Sequence, residues 1–210
     1  SLPSLSAIHV HHGLQAVADA WPAHCQAVCD ELAVPLQVVR VQVPPGASLE
    51  RAARDARYAA FIAATQAEDV LLTGQHRDDQ AETLLFRLLR GAGVRGLSGM
   101  PVQRALGQGS LVRPLLDVTR AELEAYAQDH GLHWVEDPSN QDRQFSRNYL
   151  RHQVLPLLSG RWPQAHASMA RSAAHLREAQ GLLDELAQID LATAKLPAEF
   201  EWPGLPSLEF

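Results

Sequence analysis

The sequence predicts an α/β fold in which a parallel sheet carries helices on both of its faces. Short apolar segments alternate along the chain with longer segments of helical periodicity, which is the order expected of strand–helix units. The third predicted strand is apolar throughout, as in strands that are buried on both faces. From Ser146 to about Asp190 the periodicity is helical without a further strand. We therefore expect a sheet domain followed by a helical region.

The first half of the chain contains three predicted strand–helix units. Pro22 fits only the first turn of a helix, so the first helix is expected to begin near Asp19. Ser48 is expected to cap the second helix. In order, the predicted elements are a strand at 5–11, a helix at 19–33, a strand at 36–43, a helix at 48–67, a strand at 70–74 and a helix at 79–89.

The second half is less regular. Thr119 and Glu122 form a capping box for a helix that Gly131 ends. The other predicted elements are a glycine-rich loop at 91–99, a turn and strand at 105–116, a short strand at 134–136, a turn at 137–140 and helices from 146 to 190, broken near Gly160 and Pro163. We expect the sheet domain to cover 1–145, a helical extension with a linker helix 146–190, and a linker or a further domain 191–210.

Composition indicates a soluble, reduced protein. Charged residues make up 20% of the chain and no apolar segment is long enough to span a bilayer, so neither disorder nor a membrane helix is predicted. Cys25 and Cys29 are four residues apart in a predicted helix, which does not match a C-x-x-C redox or metal motif. We expect a cytoplasmic protein with free thiols.

The charge distribution leaves a nucleic-acid partner open despite the net charge of −6. Five arginines and no carboxylate lie between Thr83 and Leu116, and six arginines and no carboxylate lie between Arg143 and Arg177. Such segregation can create a positive face on an acidic protein. The alternative is that these arginines scatter over the surface and pair locally.

The segment from Gly74 to Thr83 carries the strongest chemical signal. Asp79 and Glu82 are three residues apart and Asp78 and Glu82 four apart, so either pair projects from one side of the helix near its start. Such carboxylates can hold Mg²⁺ or an ammonium group, although acids also occur at helix starts for electrostatic reasons alone. Ligands bind at the carboxyl ends of parallel strands. We therefore expect His11-His12-Gly13 and Gly74-Gln75-His76, which both follow strands, to share one site.

Other side chains allow more than one interpretation. His9, His11 and His12, with His76 and the aspartates, could form the metal site of a hydrolase, but a packed strand histidine is more often part of a core. Arg54 and Arg57, and likewise Arg147 and Arg151, have spacings that suit phosphate contacts or a solvated helix face. The loop at 91–99 has no Walker lysine.

In order, these segments resemble the tRNA(Ile)-lysidine synthetases, members of the N-type ATP pyrophosphatase (PP-loop) group. The likeness covers about residues 7 to 190 and rests on an ordered set of motifs: His9-Val10-His11-His12-Gly13-Leu14, Ala53-Arg54-Asp55-Ala56-Arg57-Tyr58, the segment 76–83, Arg90-Gly91-Ala92-Gly93, Gly96-Leu97-Ser98-Gly99-Met100, Arg113-Pro114-Leu115, the segment 134–140 and Arg147-Asn148-Tyr149-Leu150-Arg151. It implies a Rossmann-like fold of the adenine nucleotide alpha hydrolase type, with the nucleotide-binding domain at 1–145.

The resemblance implies an enzyme that uses ATP and Mg²⁺ to activate C2 of the wobble cytidine in a tRNA(Ile) with a CAU anticodon. The amine of L-lysine then displaces AMP. Carried over by motif, the catalytic residues would be Asp79, Glu82 and Arg151. Lysine or Mg²⁺ would contact His76, Asp78, Asp79 and Glu82, with Asp78 and Asp79 as metal ligands. ATP would contact His11, His12, Arg54 and Arg57. The tRNA would contact Arg90, Arg95, Arg113, Arg147 and Arg151. A homodimer is also expected.

One departure from the family pattern affects the activity expected of this chain. Family members carry a Ser-Gly-Gly-x-Asp-Ser loop for the ATP phosphates, and this sequence contains none. We expect the chain to start inside the domain and to be inactive by itself. The alternatives are a related tRNA thiolase, which the position of Cys25 and Cys29 on an early helix disfavours, a metal-dependent hydrolase, and an RNA-binding module without catalysis.

Overall fold

The computed structural model describes residues 4–44 and 49–193. The predicted cap at Ser48 and the predicted linker beyond Thr193 lie outside these residues. The strands are β1 (Ala7–His11), β2 (Leu36–Arg40), β3 (Val70–Leu72), β4 (Gln103–Leu106) and β5 (Gly109–Val112). The helices are α1 (Trp21–Glu31), α2 (Leu49–Ala64), α3 (Arg77–Leu88), α4 (Val94–Leu97), α5 (Arg120–Asp129), α6 (Ser146–Tyr149), α7 (Leu155–Arg161) and α8 (Ala165–Thr193), with 3-10 turns at Ala16–Ala20 and Pro138–Gln141 and a π-helical turn at Leu150–Val154.

The described strands form two small sheets. β1 and β2 pair in parallel, from Ala7 opposite Leu36 to His11 opposite Arg40. β3 and β5 also pair in parallel, and β4 runs antiparallel to β5. The predicted α/β class, with parallel strands and a helical C-terminal region, is confirmed.

Several details of the prediction are wrong. The turn and strand expected at 105–116 are present as Gly107 and β5, but the preceding strand β4 was not predicted; Gly107 (φ 57°) allows the tight turn of this hairpin. The glycine-rich loop contains α4. Residues 134–136 pair with no described strand, and Trp134 is largely exposed. β3 is not buried on both faces, because Val70 and Leu72, which point to the same face of the strand, are more than half exposed.

The helix boundaries follow local sequence signals. Pro22 lies in the first turn of α1, as expected. The Thr119 hydroxyl accepts a hydrogen bond from the Glu122 amide, and the Glu122 carboxylate accepts one from the Thr119 amide, which confirms the capping box of α5. Gly131 (φ 61°) follows the end of this helix. No described helix is long and apolar enough to cross a membrane.

The core that supports α3 lies between this helix and α8. Ala81 and Ala173 are fully buried and small, which allows close packing of the two helices. Gln80 joins α3 to the following loop, since its amide donates to the Met100 carbonyl oxygen (2.8 Å) and accepts from the Met100 amide (2.7 Å). Gly99, with φ 68°, is required at this junction because a Cβ there would lie 2.5 Å from the Gln80 side-chain oxygen. α3 is therefore rigidly held.

Candidate active site

A cavity of about 520 Å³ lies at the carboxyl end of β1 and extends to the first turns of α3. It brings together the two strand-end segments that the sequence assigned to one site. The predicted residues that line it are His11, His12, Arg54, Arg57, Asp79, Glu82, Arg147 and Arg151. They come from β1, α2, α3 and the α6–π-helical segment, so tertiary packing assembles them.

The start of α3 positions the two acidic side chains of the cavity. The Asp79 carboxylate accepts a hydrogen bond from the His76 amide (3.1 Å), which closes the helix start on itself. Glu82, one turn further along, is 1% exposed. A buried carboxylate requires cationic or hydrogen-bonding partners, because its desolvation is otherwise costly.

Two arginines supply those partners. Arg151 donates from Nε to Glu82 (2.9 Å) and from Nη2 to Asp79 (3.3 Å), and Arg147 donates from Nη1 to Glu82 (3.4 Å). Arg151 lies in the π-helical turn Leu150–Val154, a geometry that often occurs at functional sites. The acidic end of the cavity therefore consists of two carboxylates held by two guanidinium groups.

Burial raises the pKa of Glu82, although the charges of Arg151 and Arg147 act in the opposite direction. Two carboxylates and two guanidinium groups compensate each other in charge. Each carboxylate has more acceptor positions than these arginines occupy. This end of the cavity can therefore accept an additional donor, such as an amine in its charged form.

His76 and Asp78 are not among the side chains that line the cavity, and their contact with substrate or Mg²⁺ stays a prediction. The Asp78 carboxylate accepts a hydrogen bond from the Arg120 amide (2.9 Å) and lies 3.7 Å from ring nitrogens of both His76 and His166. The close approach of the His76 ring is the largest cause that lowers the pKa of Asp78 to about 2. Asp78 thus connects α3 to the start of α5 and to α8, and it positions the helix that carries Asp79.

The opposite part of the cavity is cationic and histidine-rich. The Arg57 Nε donates to His12 Nε2 (3.3 Å), so the imidazole of His12 is neutral there. Burial, followed by the charge of Arg57, lowers the pKa of His12. His11 is buried; its Nδ1 accepts from the Gly13 amide, and its Nε2 lies 3.2 Å from Asp19 without hydrogen-bond alignment. Guanidinium groups beside imidazole rings suit an anionic group.

The arginines predicted to contact tRNA have different environments. Arg113 is 3% exposed and donates to the Pro101 carbonyl oxygen, so the prediction that it contacts tRNA is wrong: its guanidinium is enclosed by the fold. Arg90 is exposed and lies against the Phe86 ring, and Arg95 is exposed and pairs with Asp184. Arg147 lies in the cavity.

The cavity also contains residues to which the sequence analysis gave no role. Asp137 and Asn140 line it from the turn that follows Trp134. The Asn148 side chain fixes this turn by donating to the carbonyl oxygens of Ser139 and Asp142 (2.8 and 2.9 Å). The Asp-Pro-Ser-Asn sequence predicted a turn at this position. It could not show that the turn lines the cavity, because the other motifs of the site are far away along the chain.

The histidines do not form the metal site that the hydrolase alternative requires. Within residues 4–44 and 49–193, no group of three or more His, Cys, Asp or Glu side chains is arranged to hold a metal ion. His9 instead contacts the thiol of Cys25 (3.5 Å). Cys25 and Cys29 are both free, Cys29 is buried and Cys25 is only partly so.

Curated proteins with similar sequences are tRNA(Ile)-lysidine synthases of other bacteria. The chain is 90% identical over 210 residues to the tRNA(Ile)-lysidine synthase of Pseudomonas fluorescens (strain Pf0-1), covering all of this chain and 48% of that protein. It is 69% identical over 207 residues to the tRNA(Ile)-lysidine synthase of Pseudomonas putida, covering 99% of this chain and 48% of that protein. The chain thus spans about half the length of the curated relatives it matches.

Comparison with solved structures supports the fold. The U34-tRNA thiolase NcsA from Methanococcus maripaludis, solved with its [4Fe-4S] cluster, matches with a TM-score of 0.64 and 18% identity, covering 83% of this chain and 63% of that chain. At this identity the similarity establishes the fold alone, so the thiolase alternative gains no functional support. The family of PP-loop domains matches residues 1–158. Motif order, site geometry and this match agree, and the chain belongs to the PP-loop domain family.

Proposed function

We propose that the protein containing this chain ligates L-lysine to C2 of the wobble cytidine in tRNA(Ile) with a CAU anticodon, using ATP. Support comes from relatives named tRNA(Ile)-lysidine synthase, which are up to 90% identical over the whole chain. The residues 1–145 would form the nucleotide-binding domain and 146–190 its helical extension.

This proposal rests on one observation: carboxylates are available in one part of the cavity and guanidinium groups in the other. Asp79 and Glu82 offer carboxylates at one part, and Arg54 and Arg57 offer guanidinium groups at the other. A ligation of this kind has to hold a cationic amino acid close to a phosphorylated nucleotide. The same cavity meets both requirements.

We assign the ammonium recognition to Asp79 and Glu82. Glu82 is buried but remains hydrogen-bonded to Arg151, so its carboxylate is fixed before the substrate arrives. The ammonium first gives one proton to the Asp79 or Glu82 carboxylate and becomes a neutral amine. As this amine attacks C2, the C–N bond forms, the bond from C2 to the AMP oxygen breaks, and the second N–H proton passes to solvent. Arg151 stabilises the departing phosphate electrostatically from its position beside both carboxylates.

ATP would supply the activating group, with Arg54, Arg57, His11 and His12 beside its phosphates. Mg²⁺ is usually held by one or two carboxylates together with phosphate oxygens. Asp79 fits this role because it lines the cavity, whereas Asp78 is bonded to the start of α5 and does not fit. The metal would neutralise charge on the phosphates.

The tRNA would approach over the arginine-rich surface. Arg90 and Arg95 are exposed, and Arg147 lies where the reacting nucleotide would enter the cavity. These positions suit contacts with backbone phosphates, which provide most of the affinity for RNA without specifying sequence. We also propose a cytoplasmic location and a homodimer.

The test is lysine incorporation into a CAU-anticodon tRNA(Ile) by the full-length protein, with isotope-labelled L-lysine and detection of AMP and diphosphate. Wild-type protein is expected to form lysidine. Asp79→Asn is expected to lower kcat/KM for lysine at least about tenfold, because a charge-assisted contact is lost. The matched control is Asp30→Asn, an exposed acid on α1 whose carboxylate accepts a hydrogen bond from the Gln26 side chain. Sulfur incorporation, or full activity of Asp79→Asn, would refute the proposal.

A further inference from the structure

A group of cations surrounds Tyr58 at the edge of the cavity. The Arg54 guanidinium carbon lies 4.7 Å from the centre of the Tyr58 ring, and that of Arg104 lies 4.9 Å from it. Contacts of this kind hold the planar guanidinium groups in defined orientations. Arg104 belongs to β4, the strand that the sequence did not predict.

Neither of these arginines has an acidic partner in the part of the chain that the structure describes. Arg54 donates to the Tyr58 hydroxyl (3.4 Å) and Arg104 to the Ala105 carbonyl oxygen (3.3 Å). A guanidinium group has five N–H donors, so most remain available on each side chain. Arg120, Arg147 and Arg151, by contrast, all pair with carboxylates.

The local potential around Tyr58 is positive. Burial acts to raise the pKa of Tyr58, but the nearby charges of Arg54, Arg104 and Arg113 outweigh it and lower the pKa. Arg54 and Tyr58 line the cavity, whereas Arg104 does not. The cationic surface therefore continues from the cavity onto the β4–β5 hairpin.

We propose that Arg104, held against the Tyr58 ring at the edge of the cavity, binds a backbone phosphodiester of RNA next to the nucleotide that enters the cavity. A planar guanidinium group with free donors matches the geometry of a phosphate. A polymer that places one nucleotide in the cavity has to continue past its edge, which is where Arg104 lies. ATP, in contrast, would be contained by the cavity lining. The inference rests on the proposed function in one respect, because that function identifies the RNA as a tRNA.

The test measures the Kd of the full-length protein for CAU-anticodon tRNA(Ile) by fluorescence anisotropy over a series of KCl concentrations. Arg104→Ala is expected to raise Kd roughly fivefold to tenfold at low salt and to reduce the slope of log Kd against log salt by about one, as for one lost phosphate contact. Arg104→Lys is expected to restore most of the slope, because it keeps the charge. The matched control is Arg171→Ala, an exposed arginine of α8 that bonds to Ser168; it should leave both quantities unchanged.

The thermal unfolding midpoint verifies the fold of each variant, and Arg104→Gln replaces the alanine variant if that midpoint falls. An unchanged Kd and slope in Arg104→Ala would overturn the inference. So would a higher KM for ATP with unaltered tRNA binding, since the phosphate would then belong to the nucleotide. Lysine incorporation by the wild-type protein is measured in parallel: if it is absent, the proposed function fails, whereas the salt dependence still tests the phosphate contact.

Discussion

Replacing Asp78 by asparagine tests whether this residue positions α3 or binds substrate. Its carboxylate accepts a hydrogen bond from the Arg120 amide and lies close to His76 and His166. Asp79, the next residue, faces the cavity instead. We expect Asp78→Asn to lower stability and to change the KM for lysine less than about threefold, since a positioning residue makes no contact with the ligand.

The magnitude follows from the pKa of Asp78, which falls from 3.8 to about 2 in the fold. A shift of this size corresponds to about 2.4 kcal/mol at neutral pH. The side chain is 31% exposed, so screening reduces the figure to about 1–2 kcal/mol. Because the folded pKa is the lower one, the stabilisation is complete above the unfolded pKa and is lost as the pH falls towards 2.

The assay is urea unfolding of wild type and Asp78→Asn at pH 7 and pH 3, with Asp79→Asn as the neighbouring comparison. The difference in unfolding free energy between wild type and Asp78→Asn should shrink by about half between the two pH values. A difference that does not depend on pH, or a KM for lysine that rises as much as in Asp79→Asn, would refute the reasoning.

Three further predictions concern Glu82, Arg113 and Gly99. The KM for lysine should rise as the pH falls, and the rise should begin at a higher pH than for an ordinary glutamate, because burial raises the pKa of Glu82 and ammonium binding needs its ionised form. Glu82→Gln should abolish this dependence. A pH profile identical to that of the wild type would contradict the prediction. Arg113→Met should cost about 1–3 kcal/mol in urea unfolding, because the Pro101 carbonyl loses its buried donor, and should leave the salt dependence of tRNA binding intact; a reduced salt slope would show that Arg113 does reach RNA. Gly99→Ala should lower stability by about 2 kcal/mol or more, because its Cβ would clash with Gln80 at a left-handed φ. Gly131→Ala is the control with similar φ and open space; equal losses would exclude the clash.

Local signals in the sequence determined much of the fold. The capping box at Thr119 and Glu122 and the proline at the start of α1 depend on neighbours within one helical turn, so they are visible in the sequence. The acidic start of α3 and the strand-end histidines likewise indicated a shared site, and the cavity contains members of both. Strand pairing was harder to predict. The pairing of β5 with β3 and the unpaired segment at 134–136 depend on which strand edges are available, and no local stretch of sequence contains that information.

Only the tertiary structure shows which of two neighbouring or similar residues faces the cavity and which contacts another part of the fold. Asp78 and Asp79 are adjacent, but successive helix positions differ in direction by about 100°, so one reaches α5 and the other the cavity. Glu82 meets Arg151 across 69 positions of sequence, a pairing set by the packing of the π-helical turn on α3. Arg104 lies in β4 and Arg113 directly follows β5, yet Arg113 is buried and Arg104 is partly exposed beside Tyr58. The sequence by itself determined which residue types meet at the strand ends; packing decided which of them are buried, paired or available to a ligand.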